Sequence, residues 1–288
     1  MSDTHRPLVS VVLPTMNSQS VLAAALQSLA GQTWRDFDVV VSDGASTDAT
    51  LAIARGFAAA LPALQIDSRP DQGVYDAINR GVARARGEWF LVLGSDDQIH
   101  APDTLAQVAA HLKDAEAAQM VYGDVRMMAV NQCGVPPGGR YAGAMPLQRW
   151  FVANVCQQAI FYRRSLFDAL GGFDVRYRLY ADWCFNLRAA FVAEPRWIDV
   201  VVADYAATGM SATATDEVFL KVMSAMIRTE ISRRPFRRAL WPLQRRLLLD
   251  ADGLRRRGQW LRAAAVYGNY LRLLLLRVSA ALAGPGTP

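Results

Sequence analysis

Short apolar runs alternate along the chain with stretches whose apolar residues recur every three to four positions. Leu8 to Leu13 (LVSVVL), Phe37 to Ser42 (FDVVVS) and Trp89 to Leu93 (WFLVL) are near-continuous apolar runs, the pattern of strands buried on both faces of a parallel sheet. Leu64 to Ser68 predicts a further strand between the second and third of these. Val21, Leu22, Ala25, Leu26 and Leu29 predict a helix after the first run, with Asn17 or Ser18 as its N-cap, Gly31 as its terminator and Pro14 ending the strand before it. Val74, Ile78 and Val82 predict another helix, closed by Gly87. Strand–helix alternation with short connections implies parallel strands joined by right-handed crossovers. Beyond Asp97 the pattern predicts a helix over 103–113 and a strand from Met120 to Tyr122 that ends at Gly123 and Asp124. An exposed loop or hairpin follows at 132–143, then a strand from Cys156 to Arg163 and a short helix from Ser165 to Leu170. Tyr180-Ala181-Asp182-Trp183 opens a last helix of this region, and Ile198 to Tyr205 makes a last strand.

Polar side chains stand where these strands stop: Thr15 and Asn17 after the first, Asp43 after the second, Asp96 and Asp97 after WFLVL. Open α/β sheets bind ligands at the carboxyl ends of their strands. Two adjacent carboxylates there can hold a hard divalent cation and, through it, phosphate oxygens. The same pair can also form a solvated turn or cap the next helix. The chain has no GxGxxG after its first strand and no GxxxxGK[ST], which argues against a dinucleotide-binding site and a phosphate-cradling P-loop. A nucleotide would instead be held by side-chain hydrogen bonds and a metal.

With 288 residues, 52% hydrophobic and 20% charged, the chain can bury a large core, and global disorder is excluded. Cys133, Cys156 and Cys184 are odd in number and lack a CxxC spacing, which fits a reducing cytoplasm better than a disulfide framework or structural zinc. No run of about 18 uncharged apolar residues predicts a spanning helix. The net charge of +5 is unevenly placed: residues from Glu217 onward carry 14 of the 31 basic and 4 of the 26 acidic side chains, leaving the rest mildly acidic. This tail, 217–288, reads as Arg- and Leu-rich helices, set apart from a catalytic domain over 1–216. It would pack on that domain or on a second subunit of a homo-oligomer, or dock on an anionic membrane surface. Its aromatics are not interleaved with its arginines as a nucleic-acid stacking surface requires, so nucleic acid is not an expected partner.

Taken in order, VVLPTMN, VVVSDGASTDAT, DQGVYDAINRG, GEWFLVLGSDD, CQQAIFYRRSLFDALGGFD and YADWCFNLR resemble an inverting family 2 glycosyltransferase of the GT-A type. The resemblance spans roughly residues 7 to 212 and is nearest to bacterial exopolysaccharide or colanic-acid-type enzymes. It implies a GT-A fold, α/β with a mostly parallel central sheet flanked by helices. It also implies a nucleotide-diphosphate-sugar donor, a divalent metal (Mg²⁺ or Mn²⁺) and a saccharide acceptor, which in such pathways is often lipid-linked. The protein would then work in the cytoplasm or on the inner face of the plasma membrane. Pro14, Thr15 and Asn17 match the loop that lines the nucleotide, and Asp43 the acid that hydrogen-bonds the base. Asp71 and Gly73 match the segment that closes over the nucleotide, with Asn79 and Arg80 on the helix that follows. Asp97 matches the better metal ligand of a DXD-like motif, with Asp96 toward the ribose or sharing the metal. Gly94 stands where the motif's first acid is usual. Asp182 matches the catalytic base. Gln157 stands where similar sequences often have His, keeping a polar group but losing a good ligand.

Two rivals come from other classes. A catalytically silent GT-A module could bind nucleotide or glycan as an assembly factor. A nucleotidyltransferase would need a Gly-rich phosphate loop near its N-terminus, which PTMNSQS does not supply.

Overall fold

The protein is described by a computed structural model over residues 6–129, 134–150, 153–207 and scattered positions between 219 and 271. It divides into two compact units, residues 1–144 with 155–216, and residues 145–154 with 217–288. The first unit carries the sheet. Its strands are β1 (Val9–Thr15), β2 (Phe37–Asp43), β3 (Leu64–Ser68), β4 (Trp89–Val92), β5 (Gln98–Ile99), β6 (Met120–Met127), β7 (Arg140–Tyr141), β8 (Ile160–Arg163) and β9 (Arg196–Tyr205). They lie in the order β3-β2-β1-β4-β8-β6-β9-β5, with β7 paired to β6. The β3-β2-β1-β4 half is parallel throughout, as strand–helix alternation demands. β8 then runs antiparallel to both β4 and β6, while β9 returns parallel to β6.

The helices of this unit are α1 (Leu22–Ala30), α2 (Thr50–Gly56), α3 (Val74–Arg84), α4 (Thr104–Lys113), α6 (Arg164–Leu170) and α7 (Ala181–Val192), with α5 (Leu147–Trp150) in the second unit. Every residue of β2 and β4 is buried, as is every residue of β1 except Pro14. This is the core that the apolar runs predict. Near the sheet's centre an aromatic cluster joins Phe90, Tyr162, Phe167, Phe173 and Phe185, with ring centroids 4.9 to 5.4 Å apart along the chain of contacts. Such pairs add roughly 0.5–1.5 kcal/mol each beyond their burial.

Several boundaries differ from expectation, each for a physical reason. Pro14 does not end β1; it pairs in register with Ser42, and Thr15 with Asp43. Pairing of β1 with β4 stops at Val12, so Pro14 lies where β1 has a neighbour on one side only and a missing N–H is tolerated. Neither Asn17 nor Ser18 caps α1 through its side chain; the Ser18 carbonyl accepts from Val21 and Leu22, and Val21 stands at the cap position. Gly87 is not the stop of α3, which passes into extended backbone at Ala85. Gly87 lies instead against β1: its N–H donates to Ser10 Oγ at 2.8 Å, and a Cβ there would fall 2.5 Å from the Ser10 nitrogen. β6 does not stop at Gly123 but runs on to Met127. Gly171, at φ 77°, does end α6 in the left-handed conformation that favours glycine.

In the second unit, the described positions from 219 to 271 are helical apart from a turn at Gly258. Asp252 pairs with Arg255 and Arg256 one turn on, and Trp260 and Leu261 stand 64% and 88% exposed. Most of the expected basic tail over 217–288, together with residues 208–216 before it, lies outside the described residues.

Candidate active site

The chemistry gathers at the carboxyl ends of β1, β2, β3 and β4. The loops after β1 and β2 are tied to each other by backbone-to-side-chain bonds. Asn17, held at φ 50°, accepts from the Thr47 N–H at 2.9 Å, while its own N–H donates to Ser46 Oγ at 2.7 Å. Ser18 N–H donates to Thr50 Oγ1 at 2.7 Å, and Gln19 Oε1 accepts from Ala49 N–H at 3.1 Å. Ser18 Oγ also meets Ser95 Oγ at 3.1 Å, joining this rim to the loop after β4.

Asp43 is the knot of the rim. Its side chain is fully buried and accepts from Thr15 Oγ1 at 3.1 Å, from Ser68 Oγ at 2.7 Å, and from both the N–H and the hydroxyl of Ser46. Burial alone would push its carboxyl up, but these four donors outweigh it and hold Asp43 below the usual carboxylate range. The acid expected to meet a nucleotide base is thus ionised and already saturated by its own chain. Asp71 closes over the same corner. Its Oδ1 accepts from Gly73 N–H at 2.9 Å, and a Cβ on Gly44 would fall 2.5 Å from its Oδ2, so a side chain at 44 would displace the Asp71 carboxylate from this corner. Arg80 faces inward, its side chain 11% exposed, within 3.6 Å of Asp67 and 3.7 Å of Asp71. Its Nε and Nη1 are buried without a hydrogen-bond partner.

The acid pair after β4 is divided by burial. Asp97 is 1% exposed. Its Oδ1 accepts from the Ala206 N–H at 2.9 Å and its Oδ2 from Gln158 Nε2 at 2.6 Å. Asp96 is the half-exposed member. Burial first, and the neighbouring Asp96 charge second, push the Asp97 carboxyl up to about 7. A Cβ on Gly94 would fall 2.4 Å from Asp97 Oδ2 and 3.0 Å from Asp96 Oδ1. Oxygens of both acids therefore bracket the space that a side chain at 94 would fill. That notch, with two mutually repelling carboxylates on it, fits one hard cation with few protein ligands. Among the described residues no group of three or more His, Cys, Asp or Glu surrounds a common point. The amide that reaches the pair is Gln158; Gln157, one residue earlier, has its Nε2 buried without a hydrogen-bond partner.

Asp182 opens α7 and is 8% exposed. Its Oδ1 lies 2.7 Å from the hydroxyl of Tyr75 in the first turn of α3, two residues beyond Gly73. Tyr75 links Asp182 to the helix that follows the Asp71–Gly73 loop. Asn79, one turn further along α3, clasps the segment leading to α7, accepting from Phe173 N–H at 3.0 Å and donating to its carbonyl at 2.8 Å. Tyr75 and Gln158 escape a reading by motif. The signal for Tyr75 is its register: Tyr75, Ile78 and Val82 are the buried stripe of α3, whereas Val74 is only half-buried. A tyrosine on a buried stripe needs a partner for its hydroxyl.

The sequence pattern of glycosyl transferase family 2 matches residues 10–171. A PGL/p-HBAD biosynthesis glycosyltransferase of Mycobacterium bovis (strain BCG / Pasteur 1173P2) is 48% identical over 222 residues, 75% of this chain and 83% of that protein. Among solved structures, S. aureus TarS 1-349 in complex with UDP-GlcNAc superposes with a TM-score of 0.70 at 23% identity, covering 88% of this chain and 79% of that one. The mannosyltransferase PcManGT from Pyrobaculum calidifontis, in complex with GDP-Man and Mn2+, gives 0.58 at 20% identity, covering 99% and 78%.

Proposed function

Because the chain belongs to glycosyl transferase family 2, and is thus a glycosyltransferase of GT-A fold, we propose that it moves a sugar from a nucleotide-diphosphate-sugar donor to a saccharide hydroxyl with inversion. The observation that carries the mechanism is the placement of Asp182. It is the buried carboxylate at the start of α7, fixed to the helix that begins where the Asp71–Gly73 loop ends. Asp182 takes the proton of the acceptor hydroxyl as that oxygen attacks the anomeric carbon. The new C–O bond forms as the bond from the anomeric carbon to the diphosphate breaks, and the electron pair leaves with the diphosphate.

The rim formed by Pro14, Thr15, Asn17, Asp43, Asp71 and Gly73 frames the nucleoside. Since Asp43 is saturated, its part is to fix the Ser46 and Ser68 hydroxyls that face its carboxylate, with base contacts falling to the rim around it. Asp96, the half-exposed acid, faces the donor and a divalent cation, with Asp97 completing the notch over Gly94. A Mg²⁺ or Mn²⁺ held there would supply Lewis-acid neutralisation of the diphosphate. PcManGT, whose structure holds GDP-Man and Mn2+, supports that reading of the fold. A thermal-shift panel of UDP-, GDP- and dTDP-sugars with Mn²⁺ tests it. One nucleotide class should stabilise the protein selectively, by about 2.7 kcal/mol at a hundredfold excess over Kd. Uniform or absent shifts across all three would overturn the donor assignment.

The mycobacterial relative's place in PGL/p-HBAD biosynthesis supports a lipid-linked acceptor, and hence cell-surface glycan assembly of either the glycolipid or the exopolysaccharide type. No helix of the described residues is long and apolar enough to cross a membrane. The basic tail, with Trp260 and Leu261 exposed beside Arg255 and Arg256, supports peripheral docking on an anionic surface. Deleting 217–288 should lower sedimentation with phosphatidylglycerol vesicles and spare that with phosphatidylcholine. Equal binding by both forms, with loss of a dimer in solution, would instead assign the tail to subunit contact.

A further inference from the structure

The connection from α6 to α7 is built of turns, and α3 holds it at two points. Near its end the Leu179 carbonyl accepts from the Tyr75 hydroxyl at 2.7 Å. Near its start Asn79, one turn after Tyr75 and so on the same side of α3, meets the backbone of Phe173. Asn79 Oδ1 accepts from the Phe173 N–H at 3.0 Å, and Nδ2 donates to the Phe173 carbonyl at 2.8 Å. A peptide N–H only donates and a peptide carbonyl only accepts, so the pairing demands one acceptor and one donor side by side, which a primary amide supplies. Phe173 is 2% exposed, so water is a poor replacement for that amide. Just before Phe173 the backbone passes through two left-handed residues, Gly171 at φ 77° and Gly172 at φ 74°, where local sterics constrain its direction least. A Cβ at Gly172 would fall 3.1 Å from Asn79 Oδ1, so the second glycine also gives the amide its room.

We propose that Asn79 is a positioning residue for sugar transfer: it fixes the direction in which the chain leaves α6, and through that segment the place at which α7 presents Asp182. The helix that begins beside Gly73 thus sets the acceptor-side carboxylate twice, through the Tyr75 hydroxyl on its side chain and through Asn79 on the backbone nine residues before it. The Phe173 ring packs against Tyr75, Phe167 and Phe185 independently of the amide. Loss of the amide therefore falls on the course of the backbone more than on the fold. A shift of about 1 Å in a reacting group can cost about a hundredfold in rate, so a small change of course is enough to matter.

The charged groups beside this clasp are engaged with one another or with other backbone. Asp174 is held by the N–H and the guanidinium of Arg176, and Arg188 of α7 donates to the Leu170 carbonyl. Arg80, the next residue of α3, faces Asp67 and Asp71. The hold on Phe173 is the work of the neutral amide.

This inference rests on Asp182 being the base, and the test separates the two. Asn79→Asp keeps the shape of the side chain. As a carboxylate it accepts from the Phe173 N–H but repels the carbonyl; as a neutral acid it donates to that carbonyl again, as the amide does. Facing a carbonyl at a half-buried site, it takes up its proton above the ordinary carboxylate range. Nucleoside diphosphate release from the selected UDP-, GDP- or dTDP-hexose, with water as acceptor, is followed at about pH 8 and about pH 4.5 for the wild type, Asn79→Asp, Asn79→Ala and Asp182→Asn. Relative to the wild type at each pH, Asn79→Asp should lose about tenfold in kcat at the higher pH and return to within about twofold at the lower, with donor KM unchanged. Asn79→Ala should lose about tenfold at both. Circular dichroism at the assay temperature gives the folded fraction of each variant. An Asn79→Asp deficit that is equal at the two pH values, follows the folded fraction, or appears in donor KM instead of kcat would overturn the inference while leaving the base assignment intact. Wild-type turnover in both Asn79 variants would do the same. Full activity in Asp182→Asn would overturn the base itself, whatever the Asn79 variants do.

Discussion

Asp182→Asn is expected to remove sugar transfer almost completely, by about 10²–10⁴-fold in kcat, with donor binding unchanged. Asn keeps the volume and can still engage the Tyr75 hydroxyl 2.7 Å away, so α7 and the segment before it should remain in place. What Asn lacks is the ability to take a proton, the role proposed for Asp182 in the displacement. The measurement is product formation at saturating donor together with the thermal shift that the same donor produces. Loss of both would mean that the variant is misfolded or that Asp182 belongs to donor binding. Retention of both would end the base assignment. Loss of turnover alone, with the shift intact, is the outcome expected if Asp182 is the base.

The second large effect concerns the acid pair and runs with pH. Asp97 carries a carboxyl raised to about 7 in the folded protein from an ordinary value of 3.8. The folded state therefore binds a proton that the unfolded chain has released, and the sign follows: stability falls as pH rises from about 4 to about 7, then levels off. A shift of this size corresponds to a few kcal/mol, on the order of 1.4 per unit. Mg²⁺ or Mn²⁺ in the notch over Gly94 would offset the repulsion between Asp96 and Asp97, so the cation should raise Tm at pH 8 and do little at pH 5. Asp96→Asn removes the repulsion between the two carboxylates and one of the two proposed cation ligands. It should blunt the fall with pH and abolish the cation's effect together. A cation effect that is equal at the two pH values would assign it to some other part of the chain.

The parallel half of the sheet was legible because its runs are apolar on both faces, and LVSVVL, FDVVVS and WFLVL all form strands within a residue or two of their expected bounds. The antiparallel insertion of β8 was not, since IFYR reads the same in either direction and its place beside β4 depends on pairing distant in sequence. Pattern also leaves open what polar residues do through tertiary contact. Sequence places Arg80 only on the helix after Gly73, and it is the fold that turns it inward to Asp67 and Asp71. Asp43 and Asp97 were recognisable as strand-end acids, but which of their oxygens remain available is set by Ser46, Ser68, Gln158 and the Ala206 N–H, none of which a motif marks. Gly94 could be read as a missing acid; only the coordinates show it as the space in which the two remaining acids meet.

The first turn of α3 holds Asp71 and Gly73 on its approach and Tyr75 within it, so one stretch of five residues reaches both the β2–β3 rim and the start of α7. A helix rotates about 100° for each residue added. Inserting or deleting a single amino acid between Asp71 and Tyr75 would swing the phenol off Asp182 while unseating Asp71 from Gly44. Across divergent homologues this stretch should therefore keep its length, whereas the segment between β6 and β7, which supplies no proposed site residue, should drift in both length and sequence.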